Sequence, residues 1–211
     1  VGMVQYKLYY FDFRALGEPI RQLFAVAGVP YEDIRINREE DWPKLKDSPT
    51  FPFGKMPVLY VDDRPIPQSH AIARYLGNQF GLAGSDAFER AWVDALADQY
   101  KDYFEQFSKY ARINAGFAPG DKDKARKDFA EPARDCFFSI IENALKKAGS
   151  GFLVGNGMTW VDLVVSEHVA TWTQRMPGFL DGYPKALEYA ENIRKHPRLA
   201  EWIKNRPVTP F

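Results

Sequence analysis

Over the first 80 residues the spacing of apolar positions changes repeatedly. Tyr6 to Phe11 alternates and is rich in aromatic residues, which predicts a strand. Gly17-Glu18-Pro19 then opens a stretch with Ile20, Leu23, Phe24 and Ala27 at helical spacing, with proline suited to the first turn and Gly28 to the stop. Tyr31 to Ile36 predicts a second strand. Strand, helix and strand in so short a span form a βαβ unit, whose right-handed crossover makes the two strands parallel. Val58 to Val61 and Arg64 to Pro67 predict two short strands around an Asp62-Asp63 turn. Gln68-Ser69 then precedes a helical pattern through Ile72, Tyr75, Leu76 and Phe80.

Strand signals nearly vanish from about Ser85. Phe88, Trp92, Ala95, Leu96, Gln99, Tyr103 and Phe107 form one long helical stripe, and further stripes run through Phe129 to Leu145, Trp160 to Trp172 and Tyr183 to Ile193. The pattern therefore predicts an α/β domain of order βαβ-ββα over residues 1–80, a linker at 81–84, and an all-α helical domain over 85–211.

Composition narrows the function classes. The 211 residues carry 28 Lys+Arg against 28 Asp+Glu, with 45% hydrophobic residues. That excludes disorder and removes the electrostatic footprint of a nucleic-acid or acidic-membrane binder, so a small-molecule partner is expected. One cysteine, Cys136, allows neither an intrachain disulfide nor a Cys-rich zinc site, which fits a reducing compartment and a cytoplasmic location. The apolar run Leu23 to Val29 is too short to span a bilayer, and Val1 to Tyr6 lacks the pattern of a signal peptide. His70, His168 and His196 have no partners at ligand spacing, so no metal is expected, and neither a Gly-rich phosphate loop nor a Gly-x-Ser-x-Gly elbow occurs.

The chemistry must lie elsewhere. In Phe53-Gly54-Lys55-Met56-Pro57-Val58-Leu59 a proline stands immediately before a strand that reads as buried. It is either an ordinary loop proline or a cis Met56-Pro57 bond that turns the Met56 N–H and C=O outward to pair with an extended ligand. Gln68-Ser69 is either a plain helix cap or a carboxylate site at the positive end of a helix. Lys46 and Lys55 are either a second anion site or solvated surface.

Tyr10-Phe11, Arg14-Ala15-Leu16-Gly17-Glu18, Trp42-Pro43, Pro52 to Pro57, Val61-Asp62-Asp63 and Gln68 to Leu76, without a Cys-x-x-Cys, together resemble the cytosolic glutathione S-transferases. The resemblance is strongest to the sigma-type group of invertebrates, which includes glutathione-dependent prostaglandin D synthases. In the second half Phe152 to Asn156, Thr159-Trp160-Val161-Asp162 and Trp202 to Pro207 look like the same family, so the resemblance runs from about Val4 to Phe211. It implies a thioredoxin-like N-terminal domain and a homodimer that uses glutathione as co-substrate to conjugate small hydrophobic electrophiles in detoxification. Prostaglandin endoperoxide isomerisation and haem carriage are the alternatives.

By the same resemblance Tyr10 is the catalytic residue, its hydroxyl donating to the glutathione sulfur. Tyr9 points to the opposite face of the strand and Tyr6 lies deeper. Trp42 and Lys46 are implied to hold the glycine end of glutathione, Gly54, Lys55 and Met56 the cysteinyl backbone, and Gln68 and Ser69 the γ-glutamyl carboxylate. Asp102, from an acidic series with Asp94 and Asp98, is implied to reach the ligand amine in the partner subunit. Phe11, Leu16, Phe107, Tyr110 and Phe211 are expected to form the electrophile pocket. Leu16 occupies a position where some relatives have an arginine, and the loop 47–52 is longer than usual in the family.

Thr159-x-x-Asp162 also reads independently as a capping box at the start of a buried helix, a structural and not a catalytic feature. Asp162→Ala should therefore lower stability by roughly 1 kcal/mol and leave glutathione affinity of the folded fraction unchanged. Weakened binding at normal stability would refute that assignment.

Overall fold

The structure is a computed structural model that describes residues 4–209. The chain forms two compact units, one of residues 1–83 with 193–211 and the other of residues 84–192. The two units meet in sequence at the Gly81 to Ser85 break, and the first also takes the C-terminal segment.

In the first unit β1 (Tyr6–Phe11), α1 (Glu18–Ala27), β2 (Glu32–Ile36), the single-turn α2 (Trp42–Leu45), β3 (Val58–Val61), β4 (Arg64–Pro67) and α3 (Ser69–Gln79) follow the expected βαβ-ββα order. The sheet order is β2-β1-β3-β4. The β1–β2 pair is parallel, and β3 runs antiparallel to both β1 and β4. Alternation sorts side chains onto two faces. Leu8 and Leu59 face a core with Ile20, Leu23, Phe24, Ile72 and Leu76, all at most 1% exposed. On the other face Tyr9, Ile34, Ile36, Val58 and Tyr60 pack with Phe51, Trp42 and Met56.

Helix α1 starts on Pro19 and ends at Gly28, whose φ of 68° is left-handed and whose N–H donates to the Ala25 carbonyl at 3.1 Å. Its outer turn is clasped by α9 (Pro197–Asn205), from which Arg198 donates to the Val26 carbonyl at 3.3 Å. A Cβ on Gly28 would collide with that guanidinium, so the position needs glycine for space as well as for φ.

The second unit is helical, with α4 (Ala87–Asn114), α5 (Lys122–Ala125), a π-helical segment (Arg126–Ala130), α6 (Glu131–Ala148), α7 (Trp160–Arg175) and most of α8 (Pro184–Arg194). The stripe expected on α4 is corrected at its start. Phe88 and Trp92 are 72% and 46% exposed and Ala95 is exposed too, whereas Val93, Leu96, Ala97, Tyr100, Tyr103, Phe107 and Tyr110 are buried. Two apolar faces overlap at the start of α4, and only the one continuous with Tyr100 and Phe107 reaches the aromatic core.

Two buried polar clusters organise this unit. The capping box at Thr159 forms, and Asp162, fully buried, does more than cap. One carboxylate oxygen accepts from the Thr159 N–H and hydroxyl, both at 2.7 Å, and the other from the Leu153 N–H at 3.0 Å and the Tyr189 hydroxyl at 2.8 Å. Burial pushes its pKa upward against those bonds. His168 is clasped between the Tyr100 hydroxyl at Nδ1, 3.0 Å, and the Tyr103 hydroxyl at Nε2, 2.7 Å.

Two measurements check these clusters. Truncating Asp162 orphans four buried donors, which raises the expected cost of Asp162→Ala from the single-cap value to about 3 kcal/mol or more, read by urea unfolding. Burial lowers the pKa of His168 from 6.5 to about 3, so the folded state keeps it neutral where the unfolded chain binds a proton. Its contribution to stability is complete above about pH 6.5 and is lost as pH falls toward the folded value, by about 1.4 kcal/mol per unit. Stability at pH 4.5 should thus lie about 2.7 kcal/mol below that at pH 7.5 on account of this residue, and His168→Gln should lose that part of the dependence.

Candidate functional site

Strand register gathers the predicted site at one end of the sheet. Tyr9 pairs with Val58, and Val58 pairs with Pro67. Tyr10, Pro57 and Gln68 are each the adjacent residue along the chain at this same end of the three strands. The Met56-Pro57 bond is cis. Ser69 is the first residue of α3, and Gln68 before it has φ 76°, a conformation uncommon outside glycine.

Tyr10 is 4% exposed and its ring packs edge-on to Phe13 at 5.6 Å. Its hydroxyl oxygen accepts from the Leu16 N–H at 3.3 Å, which leaves the phenolic proton free to donate. Burial pushes its pKa up to about 12, opposed by the Leu16 N–H and the charges of Arg21 and Arg38, so the group is a protonated donor at neutral pH and not a base. Tyr9 lies on the opposite face against Phe51 and Tyr60, and Tyr6 packs on Phe24.

The segment 42–56 leads into β3. Trp42, half-buried, meets Phe51 edge-on at 4.9 Å and Phe11 at 5.7 Å. Phe51 anchors the loop 47–52, and the Tyr60 hydroxyl holds it by donating to the Thr50 carbonyl at 3.2 Å. Gly54, with φ 58°, passes close to the Lys46 carbonyl. Lys46, Gly54 and Lys55 are exposed and Met56 is half-buried.

Other expected residues fare differently. Phe107 is fully buried, ringed by Tyr103, Tyr110, His168, Trp172 and Phe179, and has no surface to offer an electrophile. It packs as part of the aromatic core of this unit. Tyr110, 5% exposed, packs on Phe107 and Trp172 and is also largely core. Phe11 and Leu16 are half-buried beside Tyr10, Asp102 and Asp98 are exposed on α4, and Phe211 lies outside the described residues. Among the described residues no group of three metal-ligating side chains occurs.

Two residues beside Tyr10 escape a reading of motifs. Gly17 lies under its ring, where a Cβ would stand 2.7 Å from Tyr10 Cγ and closer still to Cδ1. Arg21 places its guanidinium carbon 5.8 Å from the ring centroid.

Residues 6–78 match the family described as "Glutathione S-transferase, N-terminal domain", and residues 101–206 match "Glutathione S-transferase, C-terminal domain". The chain belongs to the glutathione S-transferase family. It is 47% identical to glutathione S-transferase 1 of Ascaris suum over 99% of this chain and 100% of that one. A solved Caenorhabditis elegans glutathione S-transferase superposes with a TM-score of 0.96 at 46% identity, over 99% of this chain and all of the other. A Nu-class enzyme of Haemonchus contortus gives 0.89 at 45% identity, with coverage of 99% and 100%. Two further structures bear on finer questions: Na-GST-3 of Necator americanus, described as monomeric, at 44% identity and TM-score 0.93 over 99% of this chain and 100% of that one, and prostaglandin synthase D of Nilaparvata lugens, at 34% and 0.85 over 97% and 100%. The protein is thus a glutathione transferase with glutathione as co-substrate, and the N-terminal unit has the thioredoxin-like fold of that family.

Gly17→Ala should displace the Tyr10 ring from its seat. The expected outcome is at least a tenfold fall in glutathione transfer with cooperative unfolding retained, since about 1.4 kcal/mol of lost positioning suffices. Wild-type turnover in the alanine variant would show that the ring tolerates the shift.

Proposed function

We propose that this glutathione transferase conjugates reduced glutathione to small hydrophobic electrophiles, with the Tyr10 hydroxyl donating to the glutathione thiolate. The observation that carries the reading is the protonated Tyr10 phenol, held by the Leu16 N–H near the end of β1, the same end of the sheet at which β3 begins after Met56-Pro57 and β4 stops before Gln68-Ser69.

A free thiol of pKa about 8.5 is only about 3% thiolate at pH 7. Lowering that value by two units takes roughly 2.7 kcal/mol of differential stabilisation, and one hydrogen bond to a charged acceptor supplies roughly 1.5 to 3. A single phenol therefore accounts for most of the activation, with no arginine at Leu16 to add to it. In this reading an extended glutathione lies along these residues at the end of the sheet. Met56 would meet its cysteinyl backbone and Gln68 and Ser69 its γ-glutamyl carboxylate, while Gly54 and Lys55 flank the cysteinyl part and Trp42 and Lys46 lie toward the glycine end.

In the homodimer we infer, Asp102 of the partner subunit meets the ligand amine, although one relative, Na-GST-3, is described as monomeric. Within the family the likeness to the Nu-class enzyme exceeds that to the prostaglandin synthase, which favours a Nu-class over a sigma-type assignment. Prostaglandin endoperoxide isomerisation stands as a second reading on the likeness to prostaglandin synthase D alone. No described helix is long and apolar enough to cross a membrane, and a cytoplasmic location accords with that.

The test compares wild type and Tyr10→Phe on glutathione resin and in conjugation of an aromatic halide. Both should be retained, and the variant should lose about ten- to a hundredfold in kcat/KM at neutral pH, the rate equivalent of one charge-assisted hydrogen bond. Retention without turnover in wild type would favour a binder, and equal turnover in both would remove Tyr10 from the mechanism.

A further inference from the structure

Beside burial and the Leu16 N–H, two positive charges act on the Tyr10 phenol, those of Arg21 and Arg38. They differ in what they can reach. Arg21 is 0% exposed, and its donors are taken by Asp33 at 3.1 Å, the Phe13 carbonyl at 2.8 Å and the Phe11 carbonyl at 3.2 Å. It cannot meet a ligand. Arg38 is exposed, so its guanidinium stands where a bound molecule can approach it.

The fold itself brings Arg38 to this end of the sheet. β1 and β2 run parallel with Tyr10 beside Arg35 and Phe11 beside Ile36, so the chain leaves β2 at the end where Tyr10 sits. Asn37 then builds a turn. Its side-chain carbonyl accepts from the N–H groups of Glu39 and Glu40, both at 2.9 Å, and its main-chain carbonyl from those of Asp41 and Trp42, at 3.2 and 3.0 Å. Arg38 thus follows directly on the residue that closes the turn, and its backbone path is set. A run of aromatic contacts ties the turn to the tyrosine: Trp42 meets Phe11 at 5.7 Å, Phe11 stacks on Phe13 at 5.2 Å, and Phe13 meets Tyr10 at 5.6 Å.

The surrounding charges leave this cation a task at the sulfur. Arg35, three residues earlier, is spent on Asp33 at 2.8 Å and Asp12 at 2.9 Å. Glu39, Glu40 and Asp41 follow Arg38 on the turn and are exposed as it is, and pairs of that kind are weak in water. Lys44 and Lys46 add positive charge on and just after α2. The Leu16 side chain, in the turn after Tyr10, is apolar and brings none.

We propose that Arg38 is the solvent-side cation that stabilises the bound glutathione thiolate alongside the Tyr10 phenol, once the thiol has released its proton to water. This role rests on the reading of Tyr10 given above. A hydrogen bond from the phenol acts at contact and is insensitive to salt, whereas a unit charge at a wet edge acts through space, shifts a thiol by about half a pH unit, and is screened by added ions.

The experiment titrates the ultraviolet thiolate absorbance of saturating bound glutathione from about pH 5 to 9 in wild type, Tyr10→Phe, Arg38→Gln and Arg38→Lys, at low and high salt, with urea unfolding alongside. Arg38→Gln should raise the pKa of the bound thiol by about half a unit and lower kcat/KM for an aromatic halide about threefold at pH 6.5. Arg38→Lys, which keeps the charge, should retain most of the wild-type value. High salt should move wild type toward Arg38→Gln and leave Arg38→Gln nearly still. A wild-type thiol pKa in Arg38→Gln overturns the role, even where glutathione binds more weakly, because that result marks a residue that only holds ligand. An equal shift in Arg38→Lys overturns it as well, since shape and not charge would then matter. A wild-type value that ignores salt does the same and needs no variant. No lowering of the bound thiol in wild type, or Tyr10→Phe matching wild type, sinks the reading of Tyr10 itself, whereas a shifted Tyr10→Phe with a silent Arg38→Gln sinks Arg38 alone.

Discussion

The N-terminal unit depends on satisfying one buried guanidinium. Removing an arginine from water costs several kcal/mol unless its donors are matched, and unmatched burial would be prohibitive. Arg21 meets that constraint by drawing together β1, the turn after it, β2 and its own helix α1. Through Glu18 it also draws in α9, which is distant in sequence. A buried ion network of this kind contributes little net stability compared with apolar packing. What it does is penalise any arrangement in which the turn after Tyr10 moves, and this is the property a donor to a reacting sulfur needs.

The helical unit uses the same device without net charge pairing. Asp162 has its four lone-pair directions filled by two backbone N–H groups and two hydroxyls, and His168 is bracketed by two phenols. Both lie on α7, a helix whose residues from Trp160 to Val169 are all buried, so no apolar stripe orients it within its unit. Directional polar bonds supply the rotational setting that amphipathicity supplies to α1. The single capping box visible as Thr159-x-x-Asp162 is therefore the edge of a larger cluster that includes Tyr189 and Leu153.

Much of the fold was legible because local signals agreed with one another. Alternation gave β1, Pro19 and Gly28 bounded α1, and Asp62-Asp63 marked the hairpin. The start of α4 was misread because aromatic residues at helical spacing occupy two faces, and spacing alone does not say which one meets other helices. Phe107 carries a related ambiguity, since an aromatic residue in a core and one lining a cleft have the same pattern. The C-terminal segment joins the N-terminal unit through Arg198, Trp202 and Arg206, and such long-range bonds leave no periodic trace. At the site, Tyr10, Met56-Pro57 and Gln68-Ser69 were legible as motifs, whereas Gly17 and Arg21 were not, because their roles are fixed by what lies above them in space.

The absence of a cysteine after β1 takes its meaning from this arrangement. The sole cysteine, Cys136, is exposed on α6, so the reactive sulfur is that of glutathione, the co-substrate of the family. A protein that borrows its thiol has to supply the field and the geometry around it, and it has to do so without becoming a base itself. In the function proposed for it, Tyr10 answers the second demand through burial, which keeps its proton in place. Burial alone also makes a phenol a weaker donor, so a neighbouring N–H and a nearby guanidinium are needed to restore acidity without ionising it. Leu16 and Arg21 supply them, one through the backbone and one through its charge. Because the Leu16 contribution is a main-chain N–H, it is set by the path of the turn, and that path is fixed in turn by the carbonyls that Arg21 holds.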